Sequence, residues 1–187
     1  MTAYSTTNLI YLGNFSAVDT FEYDTDAEYE HILVGVVRDF SQMQIVTANV
    51  AERDHDGVME DDECNYYHDT ISYNLGAGSV TQETDATLSA ILNVTLSDGT
   101  VHQIEAVMMQ MQNGDLFVSD LQNAGTLDNL EISQIEIASF TGDNFTGWST
   151  NQSVDNTVLA PVGPELDGIV SGDETGNLIN AGYTGDP

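Results

Sequence analysis

The chain has 187 residues, of which 31 are Asp or Glu and two, Arg38 and Arg53, are basic, so its formal charge is −29. Nothing in it could neutralise phosphate, which excludes nucleic acid and anionic membrane surfaces as partners. Yet 41% of the residues are hydrophobic, which is a folding composition, with room for one sizeable domain plus an appendage and not merely an acidic disordered tail.

Taken in chain order, the first twelve residues carry neither a basic n-region nor a long apolar run, so they do not read as a Sec-type signal peptide. No stretch is apolar enough to span a bilayer, and membrane insertion is not expected. Residues 32–37 form a short apolar run of the buried-strand type, and residues 44–50 and 71–75 read as further strands. Residues 88–96 and 101–111, joined by a turn over 97–100 with Asp98-Gly99 at its tip, give the clearest hairpin signal. Asn113-Gly114 is a second tight-turn pair and leads into a strand at 116–118. Residues 130–140 are another strand, whose alternation breaks between Ile132 and Ile135; a bulge at Ser133-Gln134 accounts for the break. Helical periodicity is weak throughout. The expected fold is all-β, a β-sandwich or jelly-roll-like domain over residues 1–158. Pro161, Gly163 and Pro164 mark a linker over 159–165, and residues 166–187 form a short β-roll-like or extended tail.

Between the second and third strands, residues 52–63 carry the most informative pattern. With Gly57 at the sharp-turn position of a twelve-residue EF-hand-type loop, Glu52 occupies the first position and Asp54 and Asp56 the third and fifth. Val58 offers its backbone carbonyl at the seventh, Glu60 stands at the ninth, and Glu63 falls at the twelfth, where a bidentate carboxylate closes the shell. A hard dication needs several oxygens converging from a short curled segment, and this spacing supplies them. Ca2+ is therefore the expected ligand. Glu52 departs from the usual aspartate, and the segment before it is a strand, so the loop is expected without paired helices. The other reading is an acidic solvated turn. Cys64 is the only cysteine, which excludes an intrachain disulfide framework; beside so many carboxylates it reads as a structural thiol.

No catalytic constellation emerges. His31, His55, His68 and His102 lack zinc spacing, no Ser or Cys sits in a nucleophile turn, and choosing two carboxylates among 31 acidic residues would be arbitrary. Tyr66, Tyr67, His68 and Trp148 could line a sugar platform or simply pack the rim of a sandwich.

In the tail, Asn177 and Asp186 are nine residues apart and follow Gly176 and Gly185, the period of a calcium-binding parallel β-roll. A flexible Gly-rich tail is the alternative. The junction over 166–187, the calcium loop, the 112–117 segment and the segment from Gly147-Trp148 to Thr157 together resemble bacterial secreted RTX-like proteins. In these, an N-terminal β module precedes degenerate calcium-binding repeats and a Hint domain. The resemblance implies calcium binding, type I secretion and an extracellular or cell-surface role. No Hint catalytic cysteine is present, so self-cleavage does not carry over. The expected function is that of a non-catalytic, calcium-binding surface or adhesion module, with a cell-surface glycan or self-association as partner. Two alternatives stand beside it: a self-assembling subunit of a calcium-dependent surface layer or filament, and a carbohydrate-binding or self-processing protein.

Overall fold

The computed structural model describes residues 3–18, 29–52, 58–59, 69–121, 124–141, 148–149 and 153–163. The protein is nearly all β, as expected. Among the described residues eleven strands follow in chain order: β1 (Ala3–Asn14), β2 (Val37–Asp39), β3 (Gln44–Glu52), β4 (Val58–Met59), β5 (Thr70–Asn74), β6 (Ser79–Leu96), β7 (Val101–Met111), β8 (Asp115–Asp120), β9 (Glu131–Phe140), β10 (Trp148–Ser149) and β11 (Val158–Leu159).

Nine of them form one sheet in the order β11-β9-β6-β5-β3-β1-β8-β7, with β2 added to β9. β6 also pairs with β7, so the hydrogen-bonded path that leaves β6 through β5, β3, β1 and β8 returns to it. Adjacent residues of a strand direct their backbone groups to opposite edges. Accordingly the Thr84 amide donates to the Asp69 carbonyl at 3.2 Å while the Glu83 carbonyl accepts the Gln112 amide at 3.2 Å. The sheet thus folds over itself and presents two cores. One contains Leu9, Val46, Ala48, Val50, Met59, Ile71, Tyr73, Met109 and Phe117. The other contains Ile10, Leu12, Leu88, Leu92, Met108, Leu116, Val118, Ile135 and Ile137. Alternate residues of β1, β7 and β8 feed the two cores in turn, as period-two geometry requires. All six residues of β8 are buried.

The hairpin of β6 and β7 closes at Asp98-Gly99, where Gly99 adopts φ +83° and the Asp98 carboxylate accepts the Thr100 amide at 2.9 Å and its hydroxyl at 2.7 Å. These Thr100 bonds hold the Asp98 carboxyl below its ordinary range. The expected bulge in β9 lies at Ser133: Thr95 opposes Gln134 and Leu96 opposes Ile132, so Ser133 is the extra residue. Its hydroxyl donates to the carbonyls of Thr95 (3.0 Å) and Leu96 (3.2 Å).

Three differences from the sequence reading stand out. Residues 32–37 are not a buried strand. Residues Glu30–Leu33 form a 3-10 turn, Gly35 takes φ +82°, and Ile32, Val34 and Val37 are exposed while Leu33 alone is fully buried. The glycine turns the run, so that only its end, from Gly35 on, bonds to β9, where the Gly35 amide donates to the Ile137 carbonyl at 2.8 Å and Val37 opposes Glu136. β1 and the first half of β6 are strands that apolar alternation did not announce. Residues 159–163, read as the start of a linker, are bonded to the sheet: β11 pairs with β9 in parallel, Ala160 donates to Ile132, and Gly163 donates to Ser97 at 2.7 Å.

Gly114 has φ +84°, and a Cβ there would stand 2.6 Å from the Ser16 backbone, whereas Gly99, also at positive φ, has open space around it. Gly99→Ala should therefore cost only the conformational term of ~1–2 kcal/mol. Gly114→Ala should cost about 1–3 kcal/mol more from overpacking, read as a lower urea midpoint. Equal losses at both glycines would disprove the close approach of residue 16.

Candidate functional site

Of the sequence-predicted calcium loop, the structure describes the first residue, Glu52, and two residues within it, Val58 and Met59. Glu52 is the last residue of β3, pairs with Ala3 of β1, and is 2% exposed. Val58 and Met59 form β4, paired with β10 through Val58–Ser149 and Met59–Trp148. The Met59 side chain is fully buried among Val46, Val50 and Ile71. A strand end thus holds the first residue of the loop, and a buried methionine anchors a residue within it. Asp54, Asp56, Glu60 and Glu63 lie outside the described residues, as do Gly57, Cys64, His55, His68 and the 166–187 tail. Among the described residues, no three His, Cys, Asp or Glu side chains gather as a metal cage.

A polar cluster that sequence reasoning missed sits at the opposite end of the same core. Asp115 is the first residue of β8, 6% exposed, and both its carboxylate oxygens are engaged. Oδ1 accepts the Tyr11 hydroxyl at 3.1 Å and the Asn14 side-chain amide at 3.1 Å. Oδ2 accepts the Tyr73 hydroxyl at 2.5 Å and the Asn113 amide at 2.9 Å. Asn113 turns its other end back to the Asp115 amide at 3.0 Å. The two tyrosine rings pack on Phe117, with centroids 5.4 Å (Tyr11) and 4.9 Å (Tyr73) away. Burial first, then the adjacent carboxylate, pushes the Tyr11 phenol up to about 12 and the Tyr73 phenol higher still. A carboxylate has about four lone-pair sites, and here four donors fill them. No lone pair is left to accept a substrate proton, so the cluster is a clasp joining β1, β5 and β8. Only the Asn113-Gly114 turn announced any part of it, because Tyr11 and Tyr73 come from remote strands.

Asp120, at the far end of β8, is also buried and accepts the Leu127 amide at 2.8 Å and the Thr126 hydroxyl at 2.9 Å. Desolvation raises its carboxyl above the ordinary range against these bonds. On the other flank of the molecule, Asp39, Phe40, Ser41, Thr95, Gln134, Pro161 and others line an open cleft of about 250 Å³. Its Asp39 carboxylate accepts the Gln134 amide at 2.8 Å. Set against known proteins, the chain matches no family model, no curated protein and no solved structure.

The clasp has an alkaline signature. Since both basic residues are arginine, raising the pH from 9 to 12 titrates mainly tyrosines. A phenol held protonated in the folded state stabilises it fully below the unfolded value of 10, and that contribution is lost as pH climbs through the folded value of about 12. The melting temperature should therefore fall between pH 10 and 12, and the fall should be shallower in Tyr11→Phe. Identical slopes in the variant and the parent would rule out the Tyr11 contribution.

Proposed function

We propose that this chain is a non-catalytic, calcium-stabilised surface or adhesion module, working outside the cell in the manner of the RTX-like proteins it resembles. The observation that carries the reading is the register of residues 52–63, with oxygen donors at every position a twelve-residue calcium loop uses and a glycine at its turn. Two structural facts support it. The first residue of the loop, Glu52, is buried at the end of β3, and Met59 within it is buried in the core, so an ion bound in the loop would pull on fixed points. The charge of −29 also makes any compact state self-repelling, and a divalent ion relieves that locally. Calcium binding and folding are then coupled, with the chain looser at low calcium and tighter outside the cell.

Self-assembly into a surface layer is a second reading, favoured by one observation. Residues 31–37 carry no carboxylate, and Ile32, Val34 and Val37 are exposed beside β2 at the sheet margin. An acid-free apolar stretch is where copies of so acidic a chain could approach. Multimers on size exclusion that dissolve in chelator would identify this mode.

Millimolar calcium should raise the melting temperature by more than sodium chloride of equal ionic strength, because site binding adds to screening. Glu63→Gln should remove most of that increment while leaving the calcium-free protein nearly unchanged, and Asp61→Asn should be almost silent. Equal shifts with the two salts, or equal damage from the two substitutions, would reduce the loop to a solvated acidic turn.

A further inference from the structure

Asn113-Gly114 is the one Asn-Gly pair in the chain. In an open chain such a pair rearranges without a catalyst. The Gly114 backbone nitrogen gives up its proton and attacks the carbonyl carbon of the Asn113 side chain. A new C–N bond forms there, the bond to the side-chain nitrogen breaks, and that nitrogen leaves with the proton as ammonia. Water then opens the cyclic imide at either carbonyl, which gives aspartate or isoaspartate. Water is the only co-reactant, and nothing is oxidised or reduced. Glycine favours the attack because no side chain crowds its nitrogen.

In the folded protein both reacting groups are committed elsewhere. The Gly114 amide donates to the Met111 carbonyl at 2.7 Å. The Asn113 carboxamide is held at both ends: its nitrogen donates to the Asp115 carboxylate at 2.9 Å and to the Tyr73 hydroxyl at 3.1 Å, and its oxygen accepts the Asp115 amide at 3.0 Å. The Asn113 backbone carbonyl accepts the Asn14 side-chain amide at 2.7 Å, which steadies the turn from outside. Attack requires the carboxamide carbon to swing over the next backbone nitrogen, so these bonds must break first. Asn113 is exposed and water is at hand; what withholds the reaction is geometry.

We propose that Asn113 is a self-modification site gated by folding, at which hydrolytic deamidation undoes the clasp of β1, β5 and β8 in any chain that stays open. An aspartate at this place sets a second carboxylate where the amide nitrogen stands, 2.9 Å from that of Asp115, and like charges so close repel. Isoaspartate lengthens the main chain by a carbon, in a turn packed so tightly that a Cβ on Gly114 would stand 2.6 Å from the Ser16 backbone. Either product removes the amide donor that Asp115 and Tyr73 share. Folding arrests the reaction, and delay in folding makes its loss irreversible, so the unfolded chain has a limited competent lifetime.

The test is a time course on the full chain at mildly alkaline pH, folded in buffer and unfolded in concentrated urea. Mass spectrometry of the peptide carrying Asn113 follows its conversion, and isoaspartate is measured separately. Conversion in the folded sample should be slower by roughly tenfold or more, because it proceeds only through the open turn. Chains returned from urea should refold in a fraction that falls as Asn113 is lost. Asn113→Asp reproduces one product without the incubation and should lower the melting temperature at neutral pH. Equal conversion rates in buffer and in urea would show that the turn gives no protection. An Asn113→Asp chain that melts with the parent would show that conversion leaves the clasp intact. Either result overturns the proposal. The rate comparison uses the parent chain alone, so it decides the matter even where Asn113→Asp does not fold.

Discussion

The double pairing of β6 is the constraint on which the rest of the molecule depends. One edge of this strand pairs with β5 and then, further along, with β9, while the other edge pairs with β7. Both edges of this long strand are thereby drawn into pairing over most of its length, and the sheet closes on itself. Such a strand cannot stay straight. Thr84 opposes Met111 and Ala86 opposes Gln110, so Asp85 is an extra residue there, and the pairing with β9 slips twice more. Each irregularity adds bend and twist. Both cores hang on the result, since Leu88, Leu92 and Val94 of β6 fill one while its partner strands β5 and β7 fill the other.

Against that frame, the molecule must carry a very large negative charge with almost no positive charge of its own. Its answer for the buried carboxylates described at either end of β8 is to supply neutral donors. Asp115 receives two phenols and two amides; Asp120 receives an amide and a hydroxyl. Arg38 is committed to other work, donating to the Leu12 carbonyl at 2.8 Å and lying 4.7 Å over the Phe15 ring. A guanidinium used in this way braces the end of β1 and gives little relief to the acidic surface. Neutralisation of that surface falls to ions from solution, which is why ion dependence is the property most worth measuring.

How much of this was legible in the amino-acid order follows from the range of each signal. The β6–β7 hairpin and the entry to β8 were readable because Asp98-Gly99 and Asn113-Gly114 specify tight turns locally, and the Ser133 bulge was readable because alternation fails there. β1 was not, since Ser5, Thr6, Thr7 and Asn8 give it a polar beginning, and its burial comes from β3 and β8, far along the chain. The start of β6 hid for the same reason behind Thr81, Gln82, Glu83 and Asp85. In residues 32–37 the error ran the other way: β-branched composition outweighed the one glycine that decided the backbone. The candidate site divides along the same line. A loop whose ligands are consecutive can be counted off the sequence. Asp115 and its tyrosines become neighbours only once strands separated by tens of residues are in register.

The short parallel strand β11 has a mechanical meaning. The last described residues make three backbone bonds in succession: Val158 to the Leu130 carbonyl, Ala160 to the Ile132 carbonyl and Gly163 to the Ser97 carbonyl. A force applied through that part of the chain reaches these bonds first, and through them it is delivered to β9 and to the tip of the β6–β7 hairpin. Because β11 runs parallel to β9, a pull directed along the strands loads the bonds together in shear, whereas a pull across them peels them off singly. The resistance of the fold to tension would therefore depend on the direction of the load, with the unfolding rate, more than the equilibrium stability, setting how long it holds.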